Sequence, residues 1–396
     1  MHVLGRPGIA RHVAKTFAAV GAVAAVLVGM AASALPAAAK TKQSTPTYHV
    51  HVILSGLSLH HHYTKAGSNK WYSEPLTQPD DITRIGNDLF TTFQNGVGPQ
   101  GQASTDGNRD STIVEYTLSG VPVNQWDLVG KCDGLTADPY TGLVVATINE
   151  DAHSSLYTID PSTNQVVHYR YYKPLPSDGG TDAVEFYHGL MLISASAPGT
   201  TGAAAPKPYY PAVYVMRLDP ANRVAYFRAL FYDESNATAA NGPLRGTTVR
   251  LALTDPDSNE DVPGIAPRFA GDFMLTSQGD KEQIYVTGAG TAGQHLSVLD
   301  ISQSVDDTAW STSWNGWFYT TDNGDDTVNA IEGSFWPGTA FVAVTPCDAD
   351  NAPATCPAPG FSPNYLGHLN MYTGQITKVS LRGATVHPQG MIFVPF

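Results

Sequence analysis

Hydrophobic and polar positions alternate over short stretches along most of the chain, and turn-forming residues separate these stretches. The clearest pair runs from Ser155 to Asp160 and from Gln165 to Arg170, with a Pro-Ser-Thr-Asn turn between them. Alternation over five or six residues is typical of β-strands. We find no stretch with a capped amphipathic pattern of 3.6-residue period. The sequence therefore predicts an all-β fold without a large helical domain.

One arrangement of residues recurs along the chain. Each copy begins with Asp, reaches a turn that contains Gly, and enters a second strand of β-branched or aromatic residues. Five copies span residues 80–93, 133–147, 182–193, 272–286 and 306–320, and a degenerate sixth spans 389–394. Further hairpins follow most copies, which gives units of four short strands, as in the blades of a β-propeller. Six blades fit the copies best, although five or seven would also accommodate them.

The two ends of the propeller are predicted to meet. The last strand runs to Phe396, and we expect it to pair with a strand from residues 48–59, because closing the ring removes an open sheet edge. Uneven spacing of the copies indicates an insertion at about 232–268. The predicted organisation is a leader at 1–39, an N-terminal segment with the closing strand at 40–79, and the propeller at 80–396.

The N-terminus has the pattern of a secretory signal peptide. Arg6, Arg11 and Lys15 precede an alanine-rich apolar run, and small residues follow at Ala37-Ala38-Ala39. The run is short and weakly hydrophobic for a membrane anchor, which is the alternative interpretation. We therefore expect a secreted, extracellular protein with no membrane span once the signal is removed.

Charge and cysteine content narrow the possible partners. Charged residues make up 14% of the chain and the formal net charge is −13, which argues against nucleic acid as a partner because its binders need clustered Lys and Arg. Export exposes cysteines to oxidising conditions, and Cys347 and Cys356 are predicted to form a disulfide that closes a surface loop. Cys132 is expected to be a buried free thiol.

The predicted geometry places acids at one end of the central channel. In a propeller the first strand of each blade lines the channel, so the Asp residues that begin the copies converge at its mouth. The predicted metal ligands are Asp80, Asp133, Asp182, Asp272 and Asp306. The ends of second strands add the predicted ligand-binding residues Asn95, Asn149, Glu150, Asp322 and Asn323. Oxygen ligands at this density suit Ca²⁺ or another divalent cation, although Asp at such positions also stabilises turns.

A second oxygen-rich stretch lies inside the predicted insertion. Asp255, Asp257, Asn259 and Asp261 alternate as in calcium-binding loops. Glu260 and Ala266 stand where an EF-hand requires Gly and a bidentate Glu, which excludes that motif. The stretch is predicted to be either a looser calcium site or a solvated acidic turn.

No nucleotide cofactor is expected. Residues 288–293 match the G-x-G-x-x-G pattern, but they connect two strand-like stretches, whereas the dinucleotide fingerprint leads from a strand into a helix. We interpret this segment as a loop.

The stretch from Asp133 to Asp138 with Gly142 to Ala146 resembles the strand motif of the gluconolactonase and senescence-marker family, and more loosely NHL-repeat and streptogramin-lyase propellers. The resemblance implies a propeller in which Asp133 is a ligand of a divalent metal at the channel mouth. The family's other ligands are a Glu on an early blade and Asn residues on others. This chain has Asp80 and Asp182 at the corresponding positions.

Two functions remain open from the sequence. The first is a secreted, non-catalytic propeller that binds a small polar ligand or a divalent metal at the acidic mouth. The alternative is a metal-dependent lactone or ester hydrolase, in which Asp80, Asp133 and Asp182 hold the ion and another carboxylate acts as base. The oligomeric state is not encoded in any pattern that we recognise.

Overall fold

The computed structural model describes residues 47–65, 68–176, 179–196, 210–348, 356 and 363–396. The predicted signal segment and residues 40–46 lie outside these ranges. The described chain contains β-strands and one 3-10 turn, Gly56–Ser58, and the all-β class is confirmed. We find no helix in these ranges that is long and apolar enough to cross a membrane.

The N-terminal residues supply three strands. They are β1 (Tyr48–Ser55), β2 (His60–Thr64) and β3 (Trp71–Pro75). Strands β2 and β3 pair only with each other, as a separate hairpin.

Three antiparallel four-stranded groups follow in chain order, and we call them blades 1, 2 and 3. Blade 1 contains β4 (Pro79–Ile85), β5 (Asp88–Phe93), β6 (Asp110–Thr117) and β7 (Pro122–Val129). Blade 2 contains β8 (Cys132–Ala137), β9 (Val144–Ile148), β10 (Ser155–Asp160) and β11 (Gln165–Tyr171). Blade 3 contains β12 (Val184–Tyr187), β13 (Leu190–Ser194), β14 (Pro211–Asp219) and β15 (Val224–Tyr232).

Much of the segment that was predicted to be an insertion is instead part of blade 4. The segment contributes β16 (Asn236–Ala239) and β17 (Thr248–Arg250), which extend the outer edge, and then β18 (Pro256–Asp261), which is the innermost strand. The blade continues with β19 (Phe273–Ser277), β20 (Glu282–Thr287) and β21 (His295–Asp300). Residues 256–261 were predicted to be part of a loop because they contain no large hydrophobic residue, yet they line the channel, where polar side chains replace a hydrophobic face.

The last two blades are interleaved in sequence. Their strands are β22 (Val305–Trp310), β23 (Gly316–Asp322), β24 (Thr327–Glu332), β25 (Ala340–Val344), β26 (Tyr365–Leu369), β27 (Ile376–Lys378), β28 (Leu381–Arg382) and β29 (Pro388–Pro395). Blade 5 has the order β22-β25-β26-β27, and blade 6 has the order β29-β23-β24-β1, with β28 beside β1. The repeat predicted that the hairpin β23–β24 belongs to the blade that begins at Asp306. The structure instead places this hairpin in blade 6.

Ring closure brings both chain ends into blade 6, but not by direct pairing. The C-terminal strand β29 pairs with β23, the N-terminal strand β1 pairs with β24, and β23 and β24 connect them. The inner strands β4, β8, β12, β18, β22 and β29 contact one another in a closed ring. The propeller is confirmed, and the grouping of the described strands is compatible with the six blades predicted.

Hydrophobic side chains fill the spaces between neighbouring blades. The described core consists of six clusters, and each lies between two adjacent blades. Between blades 3 and 4, for example, Leu192 and Val213 pack with Phe273 and Ile284, and all four are buried. Strands buried on both faces need few charges, which accounts for the low charge content of the chain.

A β-bulge recurs near the start of the inner strands. The pairing skips two residues after Pro79, Cys132, Pro256, Val305 and Pro388. In blade 2, Thr147 lies opposite the bulge, where its Oγ1 accepts a hydrogen bond of 2.9 Å from Gly134 N and donates to the Asp182 carbonyl of blade 3. In blade 6, Thr321 Oγ1 donates to the Asp80 carbonyl of blade 1. These hydroxyls connect adjacent inner strands.

Thr147→Val is expected to lower the free energy of unfolding by about 1–3 kcal/mol, because it leaves two buried backbone groups without partners. Thr276 occupies the same position in blade 4 and is fully buried, but its Oγ1 has no hydrogen-bond partner among the described residues. Thr276→Val is the matched control and should be neutral or stabilising. Urea unfolding of both variants measures the difference, and equal losses would contradict the bridging role of Thr147.

Candidate functional site

Six residues at the same register surround the mouth of the channel, the end at which the inner strands begin. Each is the first of the two bulged or equivalent residues of its strand, and together they are Asp80, Asp133, Asp182, Asp257, Asp306 and Gln389. They line a cavity of about 690 Å³. The bulge directs them to the axis, so five carboxylates from five blades converge there.

One carboxylate oxygen of Asp133 has ion-pair and hydrogen-bond partners, and the other has none among the described residues. Its Oδ1 lies 2.7 Å from Lys131 Nζ and accepts a hydrogen bond of 2.8 Å from Gln94 Nε2. Its Oδ2 is buried without a partner in the described part of the chain, and the residue is only 3% exposed. Such an orphaned carboxylate oxygen is costly unless another group binds it.

On the opposite side of the mouth, fewer protein groups balance the negative charge of the carboxylates. Asp306 Oδ1 accepts a hydrogen bond of 3.1 Å from Gln278 Nε2, but Asp257 Oδ2 is buried with no partner among the described residues. Burial raises the pKa of Asp257 most, and the charges of Asp182 and Asp306 raise it further. Negative charge is therefore concentrated around Asp182, Asp257 and Asp306.

Lys131 is the one basic side chain among the described residues that line the cavity. It contacts both Asp133 and Glu150. Burial lowers the pKa of Lys131, but these two carboxylates raise it well above its usual value, so the ammonium stays charged. Thirteen carboxylates line the same cavity, which leaves a strong excess of negative charge.

Deeper in the channel lies a second layer of acids with mixed roles. Asp81 Oδ2 accepts a hydrogen bond of 2.6 Å from Leu135 N of blade 2, and Asp307 Oδ2 accepts one of 2.5 Å from Met391 N of blade 6. These two carboxylates hold neighbouring inner strands together. Glu185 and Glu260 lie on β12 and β18, where burial raises the pKa of Glu185 to about 8 and that of Glu260 well above its usual range.

Four of the five predicted metal-site acids meet at the mouth, and Asp272 does not. Asp272 precedes β19, whose first residue Phe273 pairs with Asp261 at the far end of β18. It therefore lies on the opposite face, where its Oδ2 accepts a hydrogen bond from Thr287. The prediction was wrong because Asp272 begins a second strand, not an inner one.

The separate second calcium site was also a wrong interpretation of the geometry. Asp255, Asp257 and Asn259 line the same cavity as the other mouth residues, while Asp261 lies at the far end of β18. An extended strand cannot wrap four alternate residues around one ion. Asp255 and Asp257 instead join the acids at the mouth.

The predicted ligand-binding residues divide into two groups. Glu150 and Asn323 line the cavity. Asn95 and Asn149 do not, because their amides hold the adjacent turns: Asn95 Oδ1 accepts from Thr77 N, and Asn149 Oδ1 accepts from Lys131 N. Asp322 likewise accepts from backbone amides at 324, 325 and 387.

One compact group of potential metal ligands lies beside the mouth. Asp322, Asp325 and His387 place their ligand atoms within 4.8 Å of one another in the described structure. The Asp322 oxygens are already occupied by the turn amides. We assign this group to the stability of the turn.

Several residues that line the cavity were not predicted from the sequence. They include Lys131, Gln94, Gln278, Gln389, Glu185, Glu260 and Asp348. A signal was present for two of them, because Gln94 and Gln278 each follow a bulge-facing threonine by two residues, in Thr-Phe-Gln and Thr-Ser-Gln. Both amides reach the mouth Asp of the next blade.

The predicted disulfide lies in the β25–β26 connection on the mouth side. Cys347 and Cys356 are bonded, with Cα atoms 5.6 Å apart, and Asp348 next to Cys347 lines the cavity. Cys132 is a buried free thiol, as expected.

No protein-family model and no curated protein matches the chain. Among solved structures, it is similar to a periplasmic gluconolactonase from Pseudomonas aeruginosa at 13% identity, covering 88% of this chain and 99% of that one, with a TM-score of 0.43. A protein of unknown function from Bacteroides caccae has 10% identity, 85% and 98% coverage and a TM-score of 0.41. The β-propeller domain of Cps50 from Myceliophteria thermophila has 12% identity, 78% and 85% coverage and a TM-score of 0.36.

The acids at the mouth and in the layer below it predict that stability falls as pH rises when no cation is bound. Burial raises the pKa of Asp307 to about 6, Asp80 to about 7 and Glu185 to about 8, against about 4 in the unfolded chain. The native state therefore binds more protons than the unfolded state between about pH 4 and 8, and the free energy of unfolding decreases through this window.

Melting temperatures in excess chelator should decline from pH 5 to pH 8. Asp257→Asn removes one of the repelling charges and should make that decline shallower. A melting temperature that rises steadily over the same range in chelator would contradict the charge excess.

Proposed function

We propose that the mouth of the channel binds a divalent cation, with Ca²⁺ as the first candidate, and that a small polar ligand occupies the remaining cavity. The observation that carries this proposal is the pair of buried, unpartnered carboxylate oxygens, Asp133 Oδ2 and Asp257 Oδ2, within one ring of acids. A cation would satisfy the Asp257 oxygen and reduce the repulsion between the carboxylates, which leaves Asp133 Oδ2 to the small polar ligand.

The types of side chain favour a hard cation. Oxygen atoms of Asp, Glu, Gln, Asn and Ser dominate the polar lining, and neither His nor Cys is among the described residues that line the cavity. Such a set suits Ca²⁺ or Mg²⁺ better than Zn²⁺. Ca²⁺ accepts six to eight oxygen ligands in flexible geometry, which matches carboxylates contributed by separate blades.

The position of Lys131 indicates where the cation binds. Lys131 compensates Asp133 and Glu150 on one side of the mouth. Repulsion from its ammonium favours a cation on the other side, against Asp257 and Asp306, with Asp182 between the two sides. The cavity of about 690 Å³ is much larger than one ion, and Gln94, Ser196, Asn323 and Gln389 leave polar groups for a small ligand.

Calcium titration tests the proposal. Wild-type protein should bind Ca²⁺ and gain thermal stability with concentration, and titrations should extend to millimolar calcium, since extracellular modules bind with Kd on the order of 10⁻⁴–10⁻³ M. Asp257→Asn should weaken binding at least about tenfold, because it removes the charge of a carboxylate whose buried Oδ2 has no partner among the described residues. Asp272→Asn, on the opposite face, is the control and should bind as wild type.

Isothermal titration calorimetry and melting curves provide the two readouts. Equal calcium-dependent shifts in wild type and Asp257→Asn would rule out the mouth as the binding site. No calcium, magnesium or manganese response of the wild-type protein would rule out the cation.

A lactone or ester hydrolase is the second candidate. The observation that favours it is the Lys131–Glu150–Asp133 group, which places an ammonium and a free carboxylate oxygen at the wall of a cavity large enough for a substrate beside an ion. In this function Asp80, Asp133 and Asp182 hold the ion, which polarises the carbonyl, and another carboxylate of the ring accepts a proton from water.

A panel of lactones and esters, assayed with and without chelator, tests the hydrolase. Turnover that chelator abolishes and that Asp182→Asn reduces at least about a hundredfold would support catalysis, because the loss of a metal ligand impairs activation of water. Asp272→Asn should keep full turnover. Calcium binding without chelator-sensitive turnover would leave the non-catalytic function.

A further inference from the structure

Two exposed tryptophans lie together on the face opposite the mouth. Trp314 is 54% exposed and Trp336 is 64% exposed, and their rings are 4.5 Å apart between centroids at an interplanar angle of 72°. They belong to the β22–β23 connection (311–315) and the β24–β25 connection (333–339). Large aromatic side chains at this exposure indicate a contact with something outside the folded chain.

Backbone and hydroxyl hydrogen bonds fix the two loops to each other. Ser311 Oγ donates to the Trp336 carbonyl at 2.7 Å, and Gly338 N donates to the Ser311 carbonyl at 2.7 Å. Phe335 N donates to the Trp314 carbonyl at 3.2 Å. The backbone of both tryptophan loops is therefore held in place before any ligand binds, which lowers the entropic cost of binding.

Two further exposed rings belong to segments that lie against the tryptophan loops. Phe396 is 77% exposed and its amide donates to the Asn315 carbonyl next to Trp314. Tyr372 is 55% exposed and its hydroxyl donates to the Pro267 carbonyl at 2.7 Å, in a segment that contacts Gly338 close to Trp336. We call these four residues, Trp314, Trp336, Tyr372 and Phe396, the aromatic platform.

The platform is almost without charge. Neither tryptophan loop contains a charged residue. Arg268 is the nearby cation, 5.8 Å from the Tyr372 ring centroid, and its guanidinium donates to the carbonyls of Met371 and Ala240. The surroundings of the rings are polar but neutral, with Ser313, Asn315 and Thr339 in the same loops.

We propose that the aromatic platform binds a neutral saccharide chain. Sugar rings present apolar C–H faces that stack on aromatic rings, while their hydroxyls find amide, hydroxyl and carbonyl partners at the edge of the surface. Four rings spread over adjacent loops suit a chain of sugar units better than a single sugar. This binding is separate from the cation site, because the platform is on the opposite face.

A lipid surface fits these observations less well. The chain carries a net charge of −13 and the tryptophan loops have no Lys or Arg to contact anionic headgroups. A second copy of the chain would also cover the rings, so self-association is one of the outcomes that the experiment must register.

Affinity gel electrophoresis with soluble neutral polysaccharides tests the proposal. The probes are hydroxyethylcellulose, xylan, mannan and glycol chitin, and wild-type protein should be retarded by at least one. Trp314→Ala with Trp336→Ala should weaken that retardation at least tenfold, whereas Trp336→Phe, which keeps a ring, should retain most of it. Trp71→Ala removes a tryptophan of 69% exposure in β3 and is the control that should bind as wild type.

Four further measurements complete the test: melting curves, saccharide binding by Asp257→Asn, vesicle binding and dimerisation. Melting curves must show that the alanine variants are folded, and Asp257→Asn should keep saccharide binding even if the cation proposal fails. No retardation by any of the four probes would overturn the proposal. Binding to phosphatidylcholine–phosphatidylglycerol vesicles, or concentration-dependent dimerisation, that the double variant abolishes while no probe is retarded would also overturn it.

Discussion

The bulged inner strand is the constraint on which the rest of the molecule depends. In five of the six inner strands, an extra residue at the same register turns one side chain toward the axis, and the next bulge position faces the neighbouring strand. Hydroxyls such as Thr147 and carboxylates such as Asp81 and Asp307 then connect adjacent strands. The residues that close the ring are thus next to the residues that form the acidic mouth. Ring closure and the site therefore depend on the same bulges.

Sequence reasoning found the blades whose inner strand leads directly into a hydrophobic second strand. Asp80, Asp133 and Asp182 were placed correctly because the residues after them carry that signal. Strand β18 was missed, since Pro256–Asp261 has no apolar face and is rich in residues that favour turns. The interleaving of blades 5 and 6 was also beyond local patterns, because the hairpin β23–β24 leaves the blade of the strand that precedes it. Local patterns identify strands, whereas long-range pairing depends on the whole ring.

The mouth concentrates like charges at a cost in stability. Burial and mutual repulsion raise the carboxyl pKa values there, and one ammonium, Lys131, opposes thirteen carboxylates. The native state can lower that energy by binding protons or by binding a cation. The hydrophobic clusters between the blades must stabilise the ring sufficiently to tolerate the repulsion. A surface selected only for stability would not place five aspartates at one register.

Blade 4 departs most clearly from the pattern of the other blades. In blade 2, Thr147 satisfies both the bulge amide and the neighbouring carbonyl, whereas in blade 4 four buried oxygens, Asp257 Oδ2, Ser258 Oγ, Asn259 Oδ1 and Thr276 Oγ1, have no partner among the described residues. Orphaned groups are expected to be rare and scattered in a structure shaped by stability alone. Their concentration on β18 and β19 supports the proposal that an external ligand would complete the hydrogen bonding and coordination on this side of the mouth.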